Sequence, residues 1–421
     1  MHSERRKKRF AQILQLAQSY RGWSRRELAG ALGRDPTNLI PGSGVPKLDI
    51  VIDLAQVLDW SVEDVVTFFW SPEDEEEGEE GPEVDFETLD RSMREAHREG
   101  RYDALVKLAH RAYAVAEDGT QRARACNREA GGWDGLGRYQ NALRAIQRGL
   151  QETDLSGELR RMLLSNLANA YYCVWSLVEA RSISGELLGW YAGREATSIR
   201  DRKTKAFAHY VAGHANRRMM TSGYDDPLQI AVTSTEHLQA AIDAYQALTL
   251  EMGDPAFSGI SNTCLGGMIE LEVALGRKTP DEAIESLEHG LAAIDGNHAD
   301  LHGDQLESYA WWCIFGCNIA LRWMQSERDL QHVLARFTSR AERISSKLDS
   351  WAIRERVFTM EHTRWKRAVE CTGFDIPCLV DPEDAREIAG TMARFPTFRD
   401  TGMRLLEQAR ALDLVDLVEH Q

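Results

Sequence analysis

The amino-acid sequence predicts an all-α chain, and three observations carry that expectation. Apolar residues recur at helical spacing through most of the 421 residues, helix-start and helix-stop signals bracket those runs, and no competing alternating strand pattern is found. The expected organisation is a small N-terminal helical bundle (1–70), an acidic linker (71–87) and a long helical array (88–421).

In the bundle, Phe10, Ile13, Leu14 and Ala17 line one face of a first helix running from Arg9 to Tyr20. Ser24 follows as N-cap, Glu27 three residues later completes a capping box, and Gly33 closes the second helix. Asp35 followed by Pro36 repeats the start signal and predicts a short third helix, Thr37 to Ile40. The runs Leu48 to Leu58 and Ser61 to Phe69 complete an expected five-helix bundle. Residues 1–34 hold nine basic and two acidic side chains, whereas the whole chain has a formal charge of −16. The protein is therefore no generic polyanion binder, and any nucleic-acid contact must be local to this end. Residues 5–9, Arg-Arg-Lys-Lys-Arg, are expected to act as an arm along a DNA backbone or minor groove.

Residues 71–87, SPEDEEEGEEGPEVDFE, carry ten carboxylates, two prolines and two glycines, too little apolar surface to offset the entropy of ordering. Beyond them Gly-Arg-Tyr occurs at 100–102 and again at 137–139, each followed by an Ala-Leu pair. That 37-residue interval marks a repeat of helix pairs. Ala130, Trp133, Gly137, Tyr139, Ala142, Ile146 and Gly149 form one unit, Leu167, Ala168, Tyr171 and Ala180 a second, and Gly266, Gly276, Ala283, Leu287 and Gly290 a later one. Cys313 and Cys317 lie four apart on one helix face. A metal site completed by His302 is one reading, but the flanking Trp312, Ile314 and Phe315 favour a buried apolar helix.

Residues 9–70, through GWSRRELAGALG, Leu39, Pro46 and LDIVIDLAQVLDWSVEDVV, resemble the repressor/Cro-like (XRE-type) helix-turn-helix family. The resemblance implies a DNA-binding domain whose third helix enters the major groove while the preceding helix anchors to phosphate. It places Ser24 and Arg25 on phosphate, and Arg34, Thr37 and Asn38 at the groove. Arg26 and Lys47 complete the candidate cationic set. Asn pairs in two places with adenine and Thr meets a thymine methyl. Leu39 to Pro46 is seven residues, with Pro41 inside, where the family has about ten, so the third helix is expected to lose roughly a turn.

The small-and-aromatic pattern of residues 88–415 resembles a degenerate tetratricopeptide (TPR-like) α-solenoid. A helix-turn-helix joined to such an array resembles, in architecture, the RRNPP-type peptide-sensing transcriptional regulators. The resemblance implies a peptide or protein ligand held on the concave first helices by Asn127, Asn166 and Asn169, with Arg124, Arg128, His214 and Arg217 meeting a carboxylate. The function expected is a sequence-specific DNA-binding regulator of double-stranded DNA, acting as a homodimer. The alternative is an interaction scaffold whose shortened helix-turn-helix docks protein.

No phosphate-loop, dinucleotide, nucleophile-elbow or zincin motif is present, so no enzyme, metal or cofactor is expected. Seven scattered cysteines without a Cys-x-x-Cys pair, no apolar signal core, and no apolar run of the roughly 20 residues a membrane span needs point to a reduced, cytoplasmic protein with no membrane partner.

Overall fold

The computed structural model of the protein describes residues 2–37, 39–41, 45–69, 84–220, 226–292, 303–374 and 376–409. Among the described residues every regular element is helical. The chain divides into two compact units, Met1–Val84 and Asp85–Gln421.

The first unit holds α1 (His2–Arg21), α2 (Arg25–Ala31), α3 (Leu48–Leu58) and α4 (Val62–Phe69). Phe10, Ile13, Leu14 and Ala17 of α1 form its core with Leu28 and Ala29 of α2, Leu54 and Leu58 of α3, and Val65 of α4. The capping box at α2 is complete: the Glu27 amide donates to Ser24 Oγ, and the Ser24 amide donates to the Glu27 carboxylate at 2.7 Å. Both orphan donors of the helix start are thereby satisfied. Replacing Ser24 with Ala should lower the protection of the Leu28 and Ala29 amides by about 1 kcal/mol in hydrogen exchange of the full chain. Unchanged protection would mean that the cap does not hold this helix.

Two expectations are corrected in this unit. The first helix begins at His2, so residues 5–9 form its opening turns and not an extended arm. Among the described residues the expected third helix does not form: residues 34–37 and 39–41 run as bends and a turn, with Leu39 buried in the core. Asp35 accepts from the Thr37 amide at 2.8 Å and from its hydroxyl, closing a local turn. Four residues before Pro41 cannot offset the cost of nucleating a helix. Asn38 lies outside the described residues, as do residue 70 and 71–83 of the acidic segment. Asp85, near that segment's end, instead caps the first helix of the second unit.

That unit runs through α5 (Phe86–Arg98), α6 (Tyr102–Val115), α7 (Gly119–Gly135), α8 (Tyr139–Gln151), α9 (Gly157–Cys173), α10 (Leu177–Tyr191), α11 (Ile199–Met219), α12 (Pro227–Met252), α13 (Pro255–Ala274), α14 (Pro280–Ala292), α15 (Gly303–Trp323), α16 (Glu327–Leu348), α17 (Trp351–Thr372), α18 (Pro382–Arg394) and α19 (Arg399–Gln408), with a 3-10 turn at Pro396–Phe398. Consecutive helices from α5 to α13 pack pairwise, and α5, α7, α9, α11, α13 and α15 also touch in succession as one layer of first helices. The Gly-Arg-Tyr repeat has a mechanical meaning. Gly100 and Gly137 adopt left-handed φ of 68° and 67°, and Tyr102 and Tyr139 begin the second helix of each pair. At the third turn Trp175 takes the glycine's place at φ 67°. Its ring lies 4.4 Å from the guanidinium of Arg218 and 4.4 Å from that of Arg356, contacts that help offset a backbone conformation a bulky residue rarely adopts. Cys313 and Cys317 are buried in the apolar core of α15; His302 lies outside the described residues.

The array closes on itself. Arg394 Nε donates to the Leu136 carbonyl at 3.2 Å across 258 residues of sequence, Trp351 packs over Gly137, and Phe395 meets the ring of Tyr139. Helices α17–α19 are thus pinned onto the turns after α7 and α9 through one apolar cluster containing Tyr139, Val174, Ile388, Phe395 and Phe398.

Candidate ligand groove and basic head

Four successive first helices, α5, α7, α9 and α11, line a groove of about 980 Å³, completed by Tyr245 of α12 and by Phe257 and Ile260 of α13. One end is charged. Asp90 of α5 is 1% exposed and receives Arg94 of its own helix, Arg124 Nη2 at 2.7 Å and Arg128 Nε at 3.1 Å. Burial pushes the Asp90 carboxyl up, but the three guanidiniums outweigh it and hold it below the ordinary carboxylate value. Arg124 also bonds Glu87 at 2.7 Å.

In the middle, Asn166 Nδ2 donates to Asn127 Oδ1 at 2.8 Å. Each amide keeps capacity to spare: Asn127 its NH₂ and Asn166 its carbonyl, the pair a peptide group needs. An adjoining pocket of about 250 Å³ contains the same two side chains with Asn169, His97 and Phe207. Further along, Arg200 pairs with Glu158 at 2.8 Å, and Lys203 lies 4.8 Å above the ring of Phe257. The far wall is apolar, with Phe207, Tyr245, Phe257 and Ile260.

Arg124, Asn127, Arg128, Asn166 and Asn169 therefore lie together at the groove and its side pocket. His214 and Arg217 do not, and their expected role is corrected. Both are buried, at 1% and 2% exposure, because the later half of α11 is covered by α9, α12 and α13 and reaches α15. Arg217 does meet a carboxylate, but it is the protein's own: Glu270 Oε2 lies 2.6 Å from its Nη1. Burial, with Arg217 and Arg218 beside it, drives the His214 imidazole well below its ordinary value, so it is neutral. Sequence reasoning missed Asp90, Glu158, Lys203 and Phe257. Asp90 left a signal: it interrupts the apolar stripe Phe86, Leu89, Met93 and Ala96, and a carboxylate on such a face needs cationic partners.

In the first unit the candidate DNA contacts separate into two groups. Ser24 is spent on its cap, Arg25 Nε donates to the Pro36 carbonyl at 2.9 Å, Arg34 pairs with Asp49, and Thr37 is held by Asp35. Arg26 and Lys47 are exposed; the charge of Lys47 acts on Asp49, which Arg34 already holds. The cationic surface left for a polyanion is therefore narrower than the residue count suggests.

No helix among the described residues is long and apolar enough to cross a membrane. No family model matches the sequence, and no curated protein is similar to it. Among solved structures, the chain is similar to Bacillus thuringiensis PlcR in complex with the peptide PapR7 and DNA, at 11% identity and a TM-score of 0.36, over 67% of this chain and 92% of that one.

Proposed function

We propose that the protein is a DNA-binding transcriptional regulator, a homodimer in which the helical array takes a peptide or a segment of a protein. The observation that carries this reading is the asparagine pair of α7 and α9 set in a groove built from four first helices, with unspent donors and acceptors that match an extended backbone. Ligand in the groove bridges α5 to α13, and so favours one curvature of the array over others. In a homodimer that curvature sets the spacing of two DNA-binding heads, for which half-sites about 34 Å apart are the natural target.

The head supports phosphate contact better than base reading. Arg26 and Lys47 are exposed, while Thr37 and Arg34 are engaged within the protein. Replacing Arg26 and Lys47 with Ala should weaken binding of the full chain to duplex DNA similarly across sequences, and reduce the salt slope by about 0.9 for each phosphate that is no longer neutralised. Fluorescence polarisation over a salt series reads both. Selection from a random duplex pool reads specificity.

The turn in place of a third helix favours a second reading, an interaction scaffold whose head docks protein. Absence of any duplex binding by the full chain in dilute buffer would decide for it.

A further inference from the structure

We propose that the ligand of the groove is an acidic peptide of defined polarity, with its carboxylates over α5 and α7 and a bulky apolar side chain over α11 to α13. This rests on the peptide reading above and names the ligand's chemistry.

The groove is lined by five cations, Arg94, Arg124, Arg128, Arg200 and Lys203, against two carboxylates, Asp90 and Glu158, in a chain whose formal charge is −16. Such a local excess inside a concavity lined by low-dielectric walls focuses potential onto an anion. Asp90 does not cancel it. One carboxylate at 1% exposure is shared among three guanidiniums, which carry more N–H donors than Asp90 and Glu87 together accept. Its effect is to hold those three groups side by side in fixed orientations, the arrangement that bidentate capture of a carboxylate requires. Ion pairs on an open helix face are solvated and worth little. These differ because their common acceptor is buried beneath the groove floor.

The opposite end has a different chemistry. Lys203 stands over Phe257, and among the described residues no carboxylate pairs with it. Beyond it the wall is Phe207, Tyr245 and Ile260. A ligand that satisfies both ends is amphipathic along its length, acidic at one end and aromatic or aliphatic at the other, with its backbone crossing Asn127 and Asn166 between them. A basic peptide is repelled at the arginine end, and a peptide with no apolar residue leaves Phe207, Tyr245 and Ile260 uncovered.

The test uses the full chain and fluorescein-labelled heptapeptide pools read by fluorescence polarisation. One pool places Asp and Glu in three positions at one end and Leu, Phe or Tyr in two at the other, made in both chain directions; a second replaces the acids with Asn and Gln; a third replaces them with Lys and Arg. The acidic pool should bind at least about tenfold tighter than the neutral one, with the margin shrinking in high salt. Arg124→Gln should remove most of that margin, since Arg94 and Arg128 still pair with Asp90 and keep the site folded. Lys203→Glu, away from the arginine cluster, should shift preference toward peptides carrying Lys at the facing position. Thermal melting checks that both variants fold. Peptides that bind without regard to charge, or an acidic margin untouched by both variants, would overturn the charge assignment and leave peptide binding standing. Failure of every pool to bind would overturn both. Displacement of the acidic pool by inorganic phosphate at comparable affinity would mark a bare-anion site and also overturn the proposal.

Discussion

Replacing Glu270 with Leu is expected to destabilise the second unit by about 3–5 kcal/mol, although the change adds apolar surface to a buried site. Glu270 of α13 is fully buried and accepts from Arg217 at 2.6 Å, from Arg322 at 2.8 Å and from Asn318 at 3.2 Å. Arg322 has side-chain exposure of 24% and can turn to water, but Arg217, at 2%, cannot. Without Glu270 it keeps only the neutral His214, the Tyr172 hydroxyl and the ring of Phe315, 4.4 Å away. A cation–π contact of about 2 kcal/mol does not replace a desolvated ion pair. Pairing the change with Arg217→Met should recover most of the stability, because exchanging a buried pair for apolar groups of similar volume is close to neutral. Urea unfolding followed by circular dichroism measures both. A single variant within about 1 kcal/mol of the parent, or a double variant no better than the single, would mean that this cluster does not bind α11, α13 and α15 together.

The same helix explains what the sequence concealed. Between Ile199 and Met219, α11 is polar in composition, with six Lys and Arg residues, so His214 and Arg217 read as groove-facing. Yet every residue from Val211 to Arg217 is buried, because packing on several sides overrides the usual outward placement of charge, and the compensating Glu270 lies 53 residues away. Neighbouring first helices were easier to place. Asn127 and Asn166 are 39 residues apart, within two residues of the repeat interval, so both fall on the layer of first helices. Turns were legible where glycine was required, at Gly100 and Gly137, and illegible where Trp175 adopted the same φ on the strength of contacts with Arg218 and Arg356. In the first unit the capping box predicted α2 directly. The signal at Asp35 and Pro36 misled, because Asp before a turn and Asp before a helix bind backbone amides alike, and only the length available before Pro41 distinguishes them.

Closure of the array has no local signature at all, and it yields the other large expectation. Phe398 is 1% exposed within the cluster that joins α18 and α19 to Tyr139 and Val174. Truncating it to Ala should cost about 3–5 kcal/mol, from forfeited transfer energy and the cavity left behind. In an open array such a defect stays with its neighbours, since each repeat contacts only the next. Here Arg394 reaches the Leu136 carbonyl and Trp351 covers Gly137, so the defect should release both partners of the closure. Hydrogen exchange of Phe398→Ala should lose protection over 382–408 and, together with it, at 136–139, while α13 and α15 keep theirs. Loss confined to 382–408 would show that the closing contacts are not energetically coupled to the turn. The turn at 136–139 follows directly on α7, which carries Arg124, Asn127 and Arg128. Opening the closure should therefore weaken the peptide binding proposed above without altering a residue that lines the groove, because α7 is then less firmly held in the orientation that aligns its side chains with those of α5 and α9.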